Sequence, residues 1–263
     1  MTAINRRSVL LGTAGVAAAG LALTGPAEAT ADDGKREPLN AGPGKKWDLD
    51  GNAQRFRGNT VVCPVPQDSA FFNAEKQAQE IMKRSSLADQ YACLPHTSMH
   101  MTVFDVTAQD ALIDKQLPPW LADCQDMTEV SQRVLARLQE SRLTPLGPIN
   151  MKVKGFRPFD ANFTMDLTPA DDTTFTTLWT TRRELRDLLD IRAANFDTYQ
   201  FHSTLGYRLV KPLPSDVPPM EKIAAEMAKL FTGAAATVTL EPAAFNLFDD
   251  MLAFPQLWLL PRA

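Results

Sequence analysis

Histidine is scarce in this chain: three residues in 263, at positions 96, 100 and 202. Cysteine is equally scarce, and Cys63, Cys93 and Cys124 lack the close pairing of a metal site. Three thiols cannot all pair; an oxidising compartment permits one disulfide, but the apolar surroundings of Cys63 and Cys93 favour buried free thiols. A surplus of positive charge is also missing. With 27 basic against 31 acidic side chains the net charge is −4, which argues against broad contact with a nucleic-acid backbone and leaves room for a short nucleotide ligand. Internal repetition is absent too, apart from one short motif that occurs twice.

The N-terminus stands apart from the rest. Arg6-Arg7 precede an apolar run from Val9 to Leu23 rich in Ala and Gly, and small-residue cleavage patterns follow at Ala27-Glu28-Ala29 and Ala29-Thr30-Ala31. A charged start, an apolar middle and a small-residue end make a signal peptide. The run is too short and too interrupted for a membrane anchor. The twin arginine before Ser8-Val9-Leu10 resembles a twin-arginine export signal, so residues 1–31 are expected to direct export, periplasmic or extracellular, with membrane contact only during passage. Without them the chain has 232 residues and a charge of −5, a length that suits one domain or two closely packed lobes. Residues 32–55 are polar and punctuated by Pro38, Gly42, Pro43 and Gly44, which predicts a flexible linker. The folded body is expected over 56–263.

Within the body, Asn59–Val65 is rich in Thr and Val and predicts a strand. Phe71, Ala74, Ala78, Ile81 and Met82 recur at helical spacing over about 70–84. A strand is predicted near 99–106, and Asp126-Met127-Thr128-Glu129 has the form of a capping box before a helix striped by Val130, Val134 and Leu138. Ile149–Phe156 and Asn162–Leu167 read as a hairpin across Pro158–Ala161. A helix over about 172–191 is expected to bury Phe175, Leu178, Leu185, Leu188 and Leu189. A strand over 201–210, a helix containing Ile223 and Met227, and strands near 237–240, 245–248 and 256–260 complete the chain. The order predicts an α+β fold of two similar lobes, each an antiparallel sheet flanked by helices.

The repeated motif is His100-Met101-Thr102-Val103 and His202-Ser203-Thr204-Leu205. In a strand, residues i and i+2 share a face, so each motif presents an imidazole beside a hydroxyl. Two such pairs facing each other supply two proton-transfer groups that titrate near neutral pH and two hydroxyl donors. That set suits a phosphate diester: one histidine deprotonates water, the other protonates the leaving oxygen, and the threonines hold the non-bridging oxygens. The motifs are alike, and nothing in them separates the acid from the base. No metal or cofactor is called for.

Paired His-x-Thr/Ser motifs about a hundred residues apart resemble the 2H phosphoesterase superfamily, which includes RNA 2′,3′-cyclic phosphodiesterases, RNA-ligase-type enzymes and cyclic-nucleotide phosphodiesterases. The phrases Arg57-Gly58-Asn59-Thr60-Val61-Val62 and His100-Met101-Thr102-Val103-Phe104-Asp105 resemble a less-studied branch. The resemblance implies pseudo-symmetric lobes with the motif strands lining a central cleft, His100 and His202 as the catalytic acid–base pair, and Thr102 and Thr204 as phosphate donors. It also implies hydrolysis of a cyclic phosphodiester on a small nucleotide or short RNA end, with the reverse, ligase-like reaction open.

Neighbouring residues carry weaker expectations. Arg208 follows the 202-204-206-208 alternation and is expected to reach the phosphate. Gly206 leaves room for a ligand or marks a bulge. Phe104 shares the face of His100 and Thr102 on strict alternation and is a candidate for stacking on substrate, with core packing as its alternative. Asn59 and Thr60 approach the cleft only by the resemblance. His96 and His100 have the four-residue spacing of a helical metal pair, but Pro95 and the following residues favour a strand. A non-catalytic, exported binder of a phosphorylated or cyclic-nucleotide ligand is the alternative function.

Overall fold

Local sequence signals account for most of the elements. The computed structural model describes residues 36–157 and 162–263; the expected signal segment, the start of the expected linker and the tip of the expected hairpin lie outside them. Strand β1 (Gly58–Pro64) leads to α1 (Ala70–Lys83), where the Ser69 hydroxyl accepts the Phe72 N–H at 3.0 Å. A short β2 (Tyr91–Cys93) precedes β3 (His100–Ala108) and the brief α2 (Gln109–Ile113). Helix α3 (Met127–Gln139) starts where the Asp126 carboxylate accepts the Thr128 and Glu129 N–H groups at 2.7 and 3.0 Å. Glu129 reaches back only to the Gln125 N–H, so the capping box is one residue out of the usual register.

Strands β4 (Ile149–Phe156) and β5 (Asn162–Pro169) pair as the hairpin expected of them. Helix α4 (Asp172–Leu189) buries Thr174, Leu178, Thr181, Arg182, Leu185 and Leu189. Phe175, expected in that stripe, is 52% exposed: it follows Thr174 by one residue, about 100° round the helix. β6 (His202–Arg208), α5 (Val217–Ala228), β7 (Thr237–Leu240), β8 (Ala244–Phe248) and β9 (Gln256–Leu259) follow.

The strands form one antiparallel sheet in the order β9-β8-β1-β3-β6-β5-β4-β7, with β2 added alongside β6. Two four-strand halves meet at a single pairing, Met101 with Ser203, between β3 and β6. The two expected lobes are therefore halves of a continuous sheet, and the motif strands are neighbours at its centre. Helices α1 and α4 cover the face that receives Met101, Val103, Ser203 and Leu205, all fully buried. The cysteines are free, as their apolar settings predicted, and burial pushes the Cys93 thiol up to about 11.

The N-terminal segment corrects the sequence reading. Residues 36–55, expected to be a flexible linker, belong to the same unit as the body. Pro38 bridges Val210, the Leu39 N–H donates to the Leu209 carbonyl at 2.8 Å, and Trp47 is 2% exposed in a cluster with Ala41, Leu94, Leu209 and Met251. Gly42 and Gly44 adopt positive φ, which lets the chain turn tightly around Trp47. Composition registered the turns and missed the one large apolar anchor between them.

Candidate active site

His100 and His202 are the first residues of β3 and β6. The antiparallel Met101–Ser203 pairing sets His100 across from Thr204 and Thr102 across from His202. The imidazoles thus lie on one diagonal of a four-residue plaque and the hydroxyls on the other. Each ring is anchored in the same way: Nδ1 of His100 lies 2.6 Å from the Ser98 carbonyl, and Nδ1 of His202 lies 2.8 Å from the Gln200 carbonyl. A carbonyl oxygen can only accept, so both rings carry the proton on Nδ1 and keep Nε2 as a basic lone pair.

The strands repeat a second device. In β3, Val61 of β1 pairs with Phe104 and Val62 with Thr102, leaving Val103 as an extra, bulged residue. In β6, Phe163 pairs with Gly206 and Thr164 with Thr204, leaving Leu205 bulged. Each bulge falls directly after the motif threonine and shifts the alternation by one residue. Each bulged carbonyl then finds a buried side chain from a helix: Val103 O accepts from Arg182 of α4, and Leu205 O accepts from Gln79 of α1 at 2.8 Å. The assignment is crossed, because the helix that precedes each motif in sequence secures the bulge of the other.

The bulges explain the misplaced candidates. Arg208, expected on the phosphate face, has a fully buried side chain whose guanidinium donates to the Asp216 carboxylate at 2.6 Å, to Gln90 and to the Tyr91 hydroxyl. Arg36 pairs with the same carboxylate, so Arg208 helps to fasten the N-terminal segment. Phe104, the stacking candidate, is 3% exposed and packs edge-on to Phe196 in the core. At Gly206 an added Cβ would stand 2.8 Å from the Ala92 carbonyl; the glycine admits β2, not a ligand. In their places the shift sends Asp105 and Tyr207, each five residues after its histidine, into an open cleft of about 290 Å3.

His100, Thr102, Asn59 and Thr60 line that cleft, whereas His202 and Thr204, on the neighbouring strand β6, are not part of its lining. Lys46 and Phe254 also line it, and neither was singled out by sequence. The ring of Phe254 packs 4.3 Å from that of His100. His96 lies in a short turn against Phe72, away from the plaque. Among the described residues no group of three His, Cys, Asp or Glu is placed to hold a metal ion. Another cavity of about 290 Å3, between Leu146 and the C-terminal residues, contains none of the motif side chains.

Electrostatics separates the two histidines. Burial pushes His100 down to about 4, and the nearby His202 adds to the effect. Burial lowers His202 as well and Arg157 adds to the effect, while the Gln200 carbonyl, Asp105 and Asp166 pull the other way. Asp166 pairs with His202 across β5 and is bound by Arg157 at 2.6 Å. Beneath the plaque, Glu75 of α1 is fully buried and faces Ser203 without hydrogen-bond geometry; burial raises its carboxyl to about 8. The Arg182 guanidinium is buried 3.9 Å from the Tyr199 ring centre, with Phe196 and Trp179 around it.

The 2H-phosphodiesterase family, described as a domain of unknown function (DUF1868), matches residues 46–162. The fold is similar to that of the conserved protein of unknown function ATU0111 from Agrobacterium tumefaciens str. C58, at 28% identity and a TM-score of 0.73, covering 82% of this chain and 90% of that one. TT0787 of Thermus thermophilus aligns at 13% identity and a TM-score of 0.41, over 74% of this chain and 87% of its own. LigT of E. coli, solved with phosphate, aligns at 10% and 0.41, over 80% and 100%. No curated protein matches the chain.

Proposed function

Residues 46–162 match the 2H-phosphodiesterase family, and from that premise we propose that the protein is a metal-independent phosphodiesterase that opens a cyclic phosphodiester by two-histidine acid–base catalysis. The observation that carries the reading is the paired anchoring of His100 and His202 through Nδ1, which leaves two Nε2 atoms on one face beside two threonine hydroxyls. Hydrolysis needs a base on the water side and an acid on the leaving-group side, and two imidazoles held neutral on Nε2 supply either role.

The surroundings favour one assignment. His100 is held neutral by burial against Phe254, with no carboxylate acting on it, and serves as the base that takes a proton from water. His202 has two carboxylates, Asp105 and Asp166, acting on it against the Arg157 cation, and takes up the proton that accompanies an anionic substrate, so it serves as the acid. Thr102 and Thr204 donate to the non-bridging oxygens, where negative charge grows in the transition state. The substrate class proposed is a 2′,3′-cyclic phosphate on a nucleotide or short RNA end. Export is proposed on the Arg6-Arg7 segment alone.

Hydrolysis of 2′,3′- and 3′,5′-cyclic nucleotides in excess chelator tests the reading. Turnover of the 2′,3′ compounds is expected to persist in chelator and to fall by roughly 10²–10⁴ in His100→Ala and in His202→Ala. Turnover that survives either substitution, or that chelator abolishes, contradicts it. Affinity for a cyclic nucleotide without turnover would favour the binding module.

A further inference from the structure

The acid–base step leaves one fully buried carboxyl without a task. Glu75, on α1, lies against the side of the sheet opposite the plaque and faces Ser203. Ser203 stands between His202 and Thr204, and it is the residue through which β6 pairs with β3, the seam between the two halves. Its cross-strand neighbours, Met101 and Met165, have side chains with no N–H or O–H to offer. Gln79, one turn beyond Glu75, spends both Nε2 hydrogens on the Leu94 and Leu205 carbonyls, each at 2.8 Å. Glu75 Oε1 and Oε2, Gln79 Oε1 and Ser203 Oγ are all buried and make no hydrogen bond.

This cluster is rich in acceptors and has one donor, the Ser203 hydroxyl. A protonated Glu75 carboxyl supplies a second donor and keeps an acceptor for the serine. A carboxylate supplies acceptors alone, and no counter-charge is at hand for it. On α1, Lys76 lies over the Phe72 ring and Glu80 pairs with Lys83 at the surface. On the elements packed beside α1, Asp89, Glu221, Lys222 and Glu226 are exposed. On the sheet, His202 faces the plaque, Arg208 is bound by Asp216, and the Cys63 thiol stays neutral because burial pushes it up. None of these acts on Glu75, whose carboxyl burial raises to about 8 against the opposing pull of the Ser203 hydroxyl. An unpaired buried anion is driven toward water, and Ser203, directly beside it, is disturbed as it moves.

We propose that Glu75 is a positioning residue that works as the neutral acid: it holds Ser203 and the seam in register, and its ionisation releases the alignment of the two motif strands. The site thereby loses activity in alkaline solution through its scaffold, apart from any titration of the histidines. The inference rests on the phosphodiesterase reading and adds to it a regulation by pH.

Two measurements on the full chain test this. Hydrolysis of a 2′,3′-cyclic nucleotide is followed between about pH 6 and pH 9 in wild type and in Glu75→Gln, whose amide is neutral throughout. The ratio of wild type to variant cancels the ionisations of substrate and histidines that both share. Set to one at the acid end, it should fall about tenfold at the alkaline end, as a group titrating near 8 gives up one proton. In nitrogen-15 NMR the backbone amides of Met101 and Ser203 should shift with a midpoint near 8 in wild type and not in the variant. The Trp258 indole, on β9 at the edge of the sheet, should stay still. A flat ratio overturns the proposal, and so does movement of Trp258 with the seam, which marks general unfolding. A falling ratio with unmoved Met101 and Ser203 makes Glu75 a distant charge and overturns it equally. The wild-type titration needs no variant, and the lack of a midpoint near 8 contradicts the proposal whether or not Glu75→Gln folds. If no cyclic nucleotide is hydrolysed at any pH, the phosphodiesterase reading fails, and the two amides alone decide whether Glu75 holds the strands.

Discussion

A histidine side chain becomes useful only when its ring is held and its environment sets its proton, and both conditions are met twice here. Carbonyls two residues upstream fix the two Nδ1 protons, while burial keeps the rings neutral. The pairing of His100 and His202 was legible because each motif is short, local and strand-borne. The environment was not, since Phe254 and Asp166 lie far from either motif histidine in sequence, and Asp105 reaches the cleft only through the bulge at Val103. Glu75 was equally hidden: on a helix it reads as a surface carboxylate, yet it lies fully buried under Ser203. Its folded-state pKa, raised by burial to about 8, lies above the unfolded value. The protonated form therefore supports the fold at low pH, and that support is lost as pH rises from the ordinary glutamate range through about 8. Glu75→Gln removes the titration. Denaturant unfolding should find the variant more stable than wild type at pH 9, by on the order of 2 kcal/mol, with the gap closing near pH 5.

At the scale of elements, nearly every strand and helix followed from periodicity and caps, because those signals are local. The errors cluster where alternation breaks. Val103-Phe104 and Leu205-Gly206 each send two consecutive residues into the core, and a strict two-residue period places everything beyond them on the wrong face. Two adjacent buried-type residues after the motif threonine are the signal that marks the bulges. Phe104 and Arg208 were misassigned for that reason, and Asp105 and Tyr207 were overlooked for the same one. Arg182 donates to the bulged Val103 carbonyl, and Gln79 adds a second donor to the Leu205 carbonyl, which also accepts the Leu94 N–H at 2.9 Å. Gln79→Leu should cost about 1–3 kcal/mol in thermal or denaturant unfolding. Arg182→Met removes a buried charge along with the hydrogen bond, and its cost in stability should be smaller than its cost in kcat/KM. A variant of either kind with unchanged activity and stability would mean that the bulges hold themselves.

At the scale of the whole molecule, the two motif halves form one sheet, and the N-terminal segment adds Lys46 to the cleft. The α+β class and paired halves were readable from element order. The packing of residues 36–55 was not, because one buried tryptophan outweighed a composition that reads as linker. The segment ahead of it carries the proposed export signal. Arg6→Lys with Arg7→Lys should retain the protein in the cytoplasmic fraction on cell fractionation; unchanged export would contradict a twin-arginine route. The central claim is that both motif histidines, and not His96, face one phosphate. With only three histidines in the chain, a nitrogen-15 NMR titration of the rings reads that claim directly. In free protein, His100 and His202 should appear as Nδ1–H tautomers that protonate below 6.5, His100 near 4. Inorganic phosphate should raise both and leave His96 unchanged. A phosphate response confined to one motif histidine, or absent from both, would contradict the account.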